Sequence, residues 1–553
     1  MKKYTIGIDF GTLSGRCLLV DVESGEEAAT SVYEYPHGVI EGSLPDGRKL
    51  PIDWYLQHPK DYLEVLENTV RNTLDKAAVK PEQVIGIGVD FTACTMLPVT
   101  EEGIPLCMLE KYSADPNSYV KLWKHHSAQP QADRLTKVAL DRKEDFIKRY
   151  GGKISSEWML PKILQTLEES PDVYEDTYTF LEAGDWIVLQ LTGKLMRNSC
   201  AAGAKSLWHK KKGFPSKEYF KAVHPRLENV VEDKLKGPVV SIGTRAGLLS
   251  EKGAVLTGLS AGTPVAVAHL DAHGATIGAK VVSEGKMLVM IGTSSCHELM
   301  CREEKEVEGI CGYVEDGIVP GYFGYEAGQS CVGDHFSWFV SNCIPSAYEK
   351  EAKKSGCSIY EYLDRLASSK DVGEGGLIAL DWWNGNRSVL ADGGLSGLLV
   401  GCTLQTKPED IYRALIEATA FGTRKIIETF DEYGVPVEEI IMAGGIARKN
   451  PFIMQTYANV TGRTIQIAGS EQNAALSSAI WAALAAGSEK GGYDDTVLAA
   501  EKMGKLMDTV YVPNPEAKRR YDILYKEYIM LHDYFGRGGN NVMKRLKKTM
   551  SKI

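Results

Sequence analysis

Residues 4–16 read YTIGIDFGTLSGR. Tyr4, Ile6 and Ile8 alternate with Thr5, Gly7 and Asp9, a period of two that predicts a strand. Gly11-Thr12-Leu13-Ser14-Gly15 breaks the run, and apolar residues resume at Cys17-Leu18-Leu19-Val20. The turn has the make-up of a phosphate site. Glycines let the backbone approach an anion, with successive N–H groups pointing inward as a nest. Thr12 and Ser14 add hydroxyl donors, Arg16 adds a delocalised charge, and Asp9 at the strand end is suited to hold Mg2+ through its water shell. The turn is neither a Walker loop nor a dinucleotide fingerprint.

Outward from this turn, apolar spacing predicts a helix from about Lys60 to Ala78, with Tyr62, Val65, Leu66, Thr69, Val70 and Leu74 on one face. A strand follows at Val84–Phe91. Near residue 285 the opening theme returns: Lys286–Ile291 as a strand, Gly292-Thr293-Ser294-Ser295 as a small-residue turn, then Cys296–Met300. Strands alternating with amphipathic helices define an α/β class, and the repeated unit predicts two lobes, 1–283 and 284–553. The second half continues with a helix from about Glu409 to Tyr433 and a strand Glu439–Ala443 that runs into Gly444-Gly445. An alanine-rich helix, Ala474–Ala486, carries Leu476, Ile480 and Leu484 on a packing stripe.

Composition narrows the function classes. The chain has 553 residues, 44% hydrophobic and 25% charged, as in an ordinary soluble globular protein, and its length suits three or four domains or one large bilobal enzyme. A net charge of −10 argues against nucleic acid or anionic lipid as partner. Arg537 to Lys552 is a basic exception, expected as a solvated terminal helix without assigned function. Eleven scattered cysteines without a CxxC pair fit a reducing cytoplasm. The apolar opening breaks at Asp9, which is unlike a signal peptide, and no run of 18 uncharged apolar residues predicts a membrane span. Self-association into a homo-oligomer is left open.

Three further segments carry candidate chemistry. Gly292-Thr293 is a second phosphate turn. Gly444-Gly445, followed by Asn450, stands at a strand's C-terminal end, where a flat ligand can lie against the backbone. Asp271, just past the apolar run Pro264–Ala268, is either a helix cap or a general base for an attacking hydroxyl. His269 and His273 flank it, but no third ligand is apparent, so no metal is expected on them.

In order and spacing these segments resemble the FGGY family of carbohydrate kinases over about residues 4–487. The two turns resemble its phosphate motifs, Gly444-Gly445 its adenosine motif, and Gly397–Cys402 with Asp410, Ile411, Ala414 and Glu417 its C-terminal signature, which departs at Cys402 and Leu415. Asp90-Phe91-Thr92-Ala93-Cys94-Thr95-Met96, Leu122-Trp123-Lys124-His125-His126 and Leu270–Gly274 resemble the family's ribulose-phosphorylating branch. The resemblance implies an actin-like (ribonuclease H-like) ATPase fold, with two lobes around a central cleft and a five-stranded sheet in each. It implies ATP and Mg2+ as cofactors and a small-molecule ketopentose as substrate, phosphorylated at its terminal hydroxyl during L-arabinose breakdown. ATP contacts would come from Thr12, Ser14, Arg16, Gly292, Thr293, Gly444, Gly445 and Asn450. Asp271 is implied as the base, with Ala93, Lys205 and Glu326 around the sugar. A rival reading, an ATPase machine acting on protein partners, shares the turns but has no need of the Asp271 site.

Overall fold

The computed structural model describes residues 2–550. The first sheet is built from β1 (Tyr4–Phe10), β2 (Ser14–Asp21) and β3 (Glu27–Glu34), an antiparallel meander. Helix α1 (Pro59–Ala77) then crosses over to β4 (Val84–Phe91), parallel to β1. All six apolar-face residues expected on this helix are buried. A short helix α2 (Ser199–Ser206) precedes β5 (Arg245–Leu248), β6 (Pro264–Ala266) and β7 (His269–Leu270).

The second half repeats the plan. β8 (Gly285–Ile291), β9 (Ser295–Cys301), β10 (Gly312–Glu315) and β11 (Phe323–Gln329) form its antiparallel part. Helix α3 (Pro408–Glu432) leads to β12 (Val437–Ala443), which runs parallel to β8, and β13 (Thr464–Ala468) runs parallel to β12. Helix α4 (Asn473–Ala486) and strand β14 (Leu506–Tyr511) follow, and α5 (Val542–Met550) ends the described chain.

The sheet orders are β5-β6-β4-β1-β2-β3, with β7 also on β4, and β10-β11-β9-β8-β12-β13-β14. Each sheet therefore has seven strands rather than the five expected. Five of them match between lobes. Three of the four extra strands are added at margins, where β5 pairs antiparallel with β6, β10 with β11, and β14 with β13, while the two-residue β7 pairs with β4. Such additions cover backbone groups that an open edge would expose.

Helix α4 corrects a second expectation. It carries no single apolar stripe, because only Ala474 and Leu484 are partly exposed. The helix lies between the sheets, in one core cluster with Leu18 and Val20 of β2 and with Leu288 and Ile441 of β8 and β12. It also approaches β1 and β4 to backbone contact. A Cβ at Gly7 would lie 1.8 Å from the Ala475 carbonyl oxygen, and one at Gly88 1.9 Å from that of Ser478. Alanine and serine dominate the helix because larger side chains would hold the backbones apart.

The basic C-terminal stretch is likewise more than a solvated helix. Met543 of α5 is buried in the second core, and Lys544 and Lys547 are tied to residues 392–395. Lys552 lies outside the described residues.

The close approach yields a stability test. Gly88→Ala places a methyl group inside the α4 backbone, and overpacking of this kind costs about 1–3 kcal/mol. Thermal denaturation should show a lowered midpoint, and an unchanged one would contradict the contact.

Candidate active site

Three carboxylates gather at the C-terminal ends of adjacent parallel strands of the first sheet. Asp9 on β1 is the register partner of Asp90 on β4, and His269 on β7 pairs with Asp90, which brings Asp271 to the same edge. Asp9 is held by Arg16 of the neighbouring strand, Nε to Oδ2 at 3.2 Å. Asp90 is buried. Its Oδ2 accepts from Ser478 Oγ of α4 at 2.6 Å, while its Oδ1 has no partner among the described residues. Asp271 opens a short helix, Asp271–Gly274, and accepts from the Ala272 N–H at 2.7 Å. The cap position itself is Leu270, so Asp271 stands at the first residue of the helix rather than as its cap.

Burial raises all three acids. It lifts Asp9 against the pull of Arg16, and lifts Asp90 well above the usual carboxylate range, with the Asp9 charge adding to the effect. Asp271 is pushed up to about 7 by burial, with Asp9 and Glu326 raising it further and the Ala272 N–H and Lys205 opposing.

Opposite these acids stands a group with the reverse balance. Lys205 of α2 donates to Glu326 Oε2 of β11 at 2.7 Å, and both side chains are buried. Arg387 donates to Glu326 Oε1 at 2.9 Å. Burial opposes ionisation of Glu326, but Lys205, His273 and Arg387 outweigh it and hold its pKa well below the ordinary value. Lys205 is thus a buried charge, and Glu326 lies within β11.

Ala93 is half-buried in the loop after β4, packed against two of the core clusters. Cys94 beside it takes a left-handed backbone, φ 60. The buried ammonium of Lys162 donates to the Cys94 and Leu122 carbonyls, at 2.6 and 2.9 Å, and so ties this loop to the segment before Trp123. Burial brings Lys162 down to about 8. No local pattern marked this lysine.

The phosphate turns are placed differently from each other. The Gly11 N–H closes the first hairpin onto Ser14 O at 3.0 Å, so it is not available to a nest. Thr12 Oγ1 accepts from the Trp123 indole N–H at 3.1 Å, Ser14 opens β2, and Arg16 is engaged with Asp9. On the second lobe, Gly292, Thr293, Gly445 and Asn450 line one cavity of about 660 Å³, together with Tyr360 and Asp364. Gly444 shapes this wall at φ 106, where a Cβ would meet the Ile291 carbonyl oxygen at 2.3 Å. Asn450 is occupied at both ends. Its Nδ2 donates to Asp364 Oδ2 at 2.8 Å, and its Oδ1 caps the helix Pro451–Thr461. Tyr360 and Asp364 went unread in the sequence, although Ser358 and Glu361 form the capping box that starts their helix.

The missing third partner for the histidines also emerges. His273, Glu298 and Glu326 offer ligand atoms within 4.8 Å of one another. Lys205 and Arg387 already engage both oxygens of Glu326, so the group is an ionic network. His269 instead stacks on Trp481.

Two sheets of common plan, with a cavity beside one and an acid cluster at the edge of the other, are the arrangement to which comparison with known proteins attaches a class. The chain belongs to the FGGY family of carbohydrate kinases: the N-terminal domain of that family matches residues 4–278 and its C-terminal domain residues 287–486. It is an ATP-using carbohydrate kinase with an actin-like fold. It is 56% identical to a ribulokinase of Geobacillus thermodenitrificans, over 99% of this chain and 97% of that one. It is 57% identical to a ribulokinase of Bacillus licheniformis, over 97% of each chain. The crystal structure of gluconate kinase from Lactobacillus acidophilus superposes with a TM-score of 0.79 at 17% identity, covering 97% of this chain and 99% of that one, and shares the fold.

The cavity supplies a second test. A Cβ at Gly445 would meet nothing within 4 Å, so Gly445→Val should fold normally and fill the cavity instead. The KM for ATP should rise strongly while equilibrium sugar binding persists. Loss of sugar binding with ATP binding retained would mean that the two sites are exchanged.

Proposed function

We propose that this kinase transfers the γ-phosphoryl group of ATP to the terminal C5 hydroxyl of a ketopentose, L-ribulose, yielding L-ribulose 5-phosphate and ADP. The observation that carries the reading is the convergence of Asp9, Asp90 and Asp271 at one sheet edge, with the buried Lys205–Glu326 pair acting on Asp271, whose carboxyl burial pushes up to about 7. The ribulokinase names of full-length relatives support the choice of sugar. ATP lies with its adenosine in the 660 Å³ cavity, and Gly292 and Thr293 stand at its phosphate end. Thr12, Ser14 and Arg16 face the phosphates from the first lobe. The lobes divide at residues 1–283 and 284–553, with α4 returning to the first sheet.

Glu326 accepts from sugar hydroxyls and Lys205 donates to sugar oxygens, which meets a polyol's need for both. Ala93 leaves room for the substrate carbons. Asp271 takes the proton from the terminal hydroxyl as its oxygen attacks the γ-phosphorus in line. The bond to the β,γ-bridging oxygen breaks, ADP departs with that electron pair, and Asp271 returns its proton to solvent. Mg2+ fits the all-oxygen acid cluster, where Asp90 has an orphaned oxygen and Arg16, on Asp9, is the one cation paired directly with the three carboxylates among the described residues. Asp9 would hold it, through water, and it would neutralise phosphate charge. Eleven free thiols accord with a reducing cytoplasm.

ADP release measured with each ketopentose should give the highest kcat/KM for L-ribulose. A preference for another sugar, or release that no sugar stimulates, would overturn the assignment. Asp271 must be ionised to act as base, so kcat/KM for the sugar should be flat above pH 7 and fall on acidification below it. Asp271→Asn should lower kcat by roughly 10²–10⁴ with little effect on sugar affinity. Near-normal turnover in that variant would remove Asp271 from the mechanism.

A further inference from the structure

Arg387 and the basic C-terminal helix have no part in the chemistry so far, yet the structure connects them. Arg387 stands on the loop 381–396. Its Nη2 donates to Glu326 Oε1 at 2.9 Å, its Nη1 lies 3.9 Å from Cys296 Sγ, and a third of its side chain remains exposed. The next residue, Ser388, accepts from the Gly328 N–H of β11 at 3.2 Å, two positions from Glu326 on the same strand. The loop is closed on itself by Asn386 and Asp392, whose backbones exchange hydrogen bonds of 3.0 and 2.8 Å.

It is then gripped from outside. Lys544 Nζ of α5 lies 2.5 Å from Asp392 Oδ2. Lys547 Nζ donates to the Gly393 and Leu395 carbonyls at 2.9 and 2.7 Å. Met543 anchors the helix in the core. From the first half of the chain, Lys153 Nζ donates to the Ala391 carbonyl at 2.6 Å. Thus two cations of α5, Lys544 and Lys547, are spent on the loop that delivers Arg387.

We propose that Arg387 is a further positioning residue of the sugar site, and that α5 serves the same site by bracing its loop. The inference rests on the reading that Glu326 borders the sugar. Lys205 and His273 both engage the same oxygen of Glu326, Oε2, and leave Oε1 to be held by another group. Arg387 takes the second oxygen, so both are pinned and the group meets a sugar hydroxyl as an ionised acceptor of set orientation. Arg387 belongs to the second half of the chain and Lys205 to the first, so Glu326 is fixed by both halves.

The test is steady-state kinetics with L-ribulose and ATP on the full chain. Arg387→Met should raise the KM for ribulose by about tenfold or more, the loss typical of a charge-assisted hydrogen bond, with the KM for ATP unchanged. Arg387→Lys should recover part of that loss. The double variant Lys544→Ala/Lys547→Ala should shift the ribulose KM in the same direction, and combined with Arg387→Met should add nothing further. An unchanged ribulose KM in Arg387→Met, or an equal rise for ATP and sugar, overturns the proposal. So does strict additivity of the loop and helix variants. If Arg387→Met loses its melting transition, the Arg387→Lys and double-lysine kinetics decide. Glu326→Gln separates the two layers: no effect on ribulose there would overturn the reading of the sugar site itself. A raised KM there beside a silent Arg387→Met would sink only this inference.

Discussion

The contact of α4 with β1 and β4 is the constraint on which the rest depends. A helix whose backbone touches a sheet needs glycine on one side and small residues on the other, and Gly7 and Gly88 meet Ala475 and Ser478 in that way. The helix comes from the end of the chain and the sheet from its beginning, so the Ser478–Asp90 bond spans 388 residues. Through this contact the second half of the chain also holds the segment that carries Asp271. Asn473 Nδ2 donates to the Ala275 carbonyl, Ser477 Oγ accepts from the Gly278 N–H, and Trp481 stacks on His269. These bonds form where water is excluded, so leaving any of them unmade is costly.

The cleft sorts its carboxylates by partner rather than by depth. Asp90, Asp271 and Glu326 all lose solvent, yet Asp90 and Asp271 are raised and Glu326 is lowered. The difference is the number of cations. Asp271 has one backbone N–H and the distant field of Lys205, whereas Glu326 has Lys205 and Arg387 in direct contact. An underpaired acid near 7 is able to take up a proton, and an overpaired one stays an acceptor. Two chemical roles thus follow from one residue type in neighbouring positions.

Much of the fold was legible. The strand–turn–strand units at residues 4–20 and 286–300 stand out because period-two runs are broken by small residues, and helix α1 was readable face by face. The strands that widen each sheet to seven were not legible. β7 has two residues and β5 four, too short for a period to register. The α4 stripe misled for the opposite reason: a helix packed on both sides has no polar face to set its apolar one apart.

By itself the sequence determined the α/β class, the repeated lobe plan, and which turns and which aspartate were worth watching, since these are local patterns of backbone freedom and polarity. Only the tertiary structure decided what those groups do to one another. It set Lys205 and Arg387 on Glu326, tied Lys162 to the loop of Ala93, spent Asn450 on Asp364, and turned a basic tail into a brace. The physical reason is range. Propensity and periodicity act over a few residues, whereas ion pairing and desolvation depend on neighbours in space, and here those neighbours are 121, 61, 68, 86 and 152 residues apart along the chain.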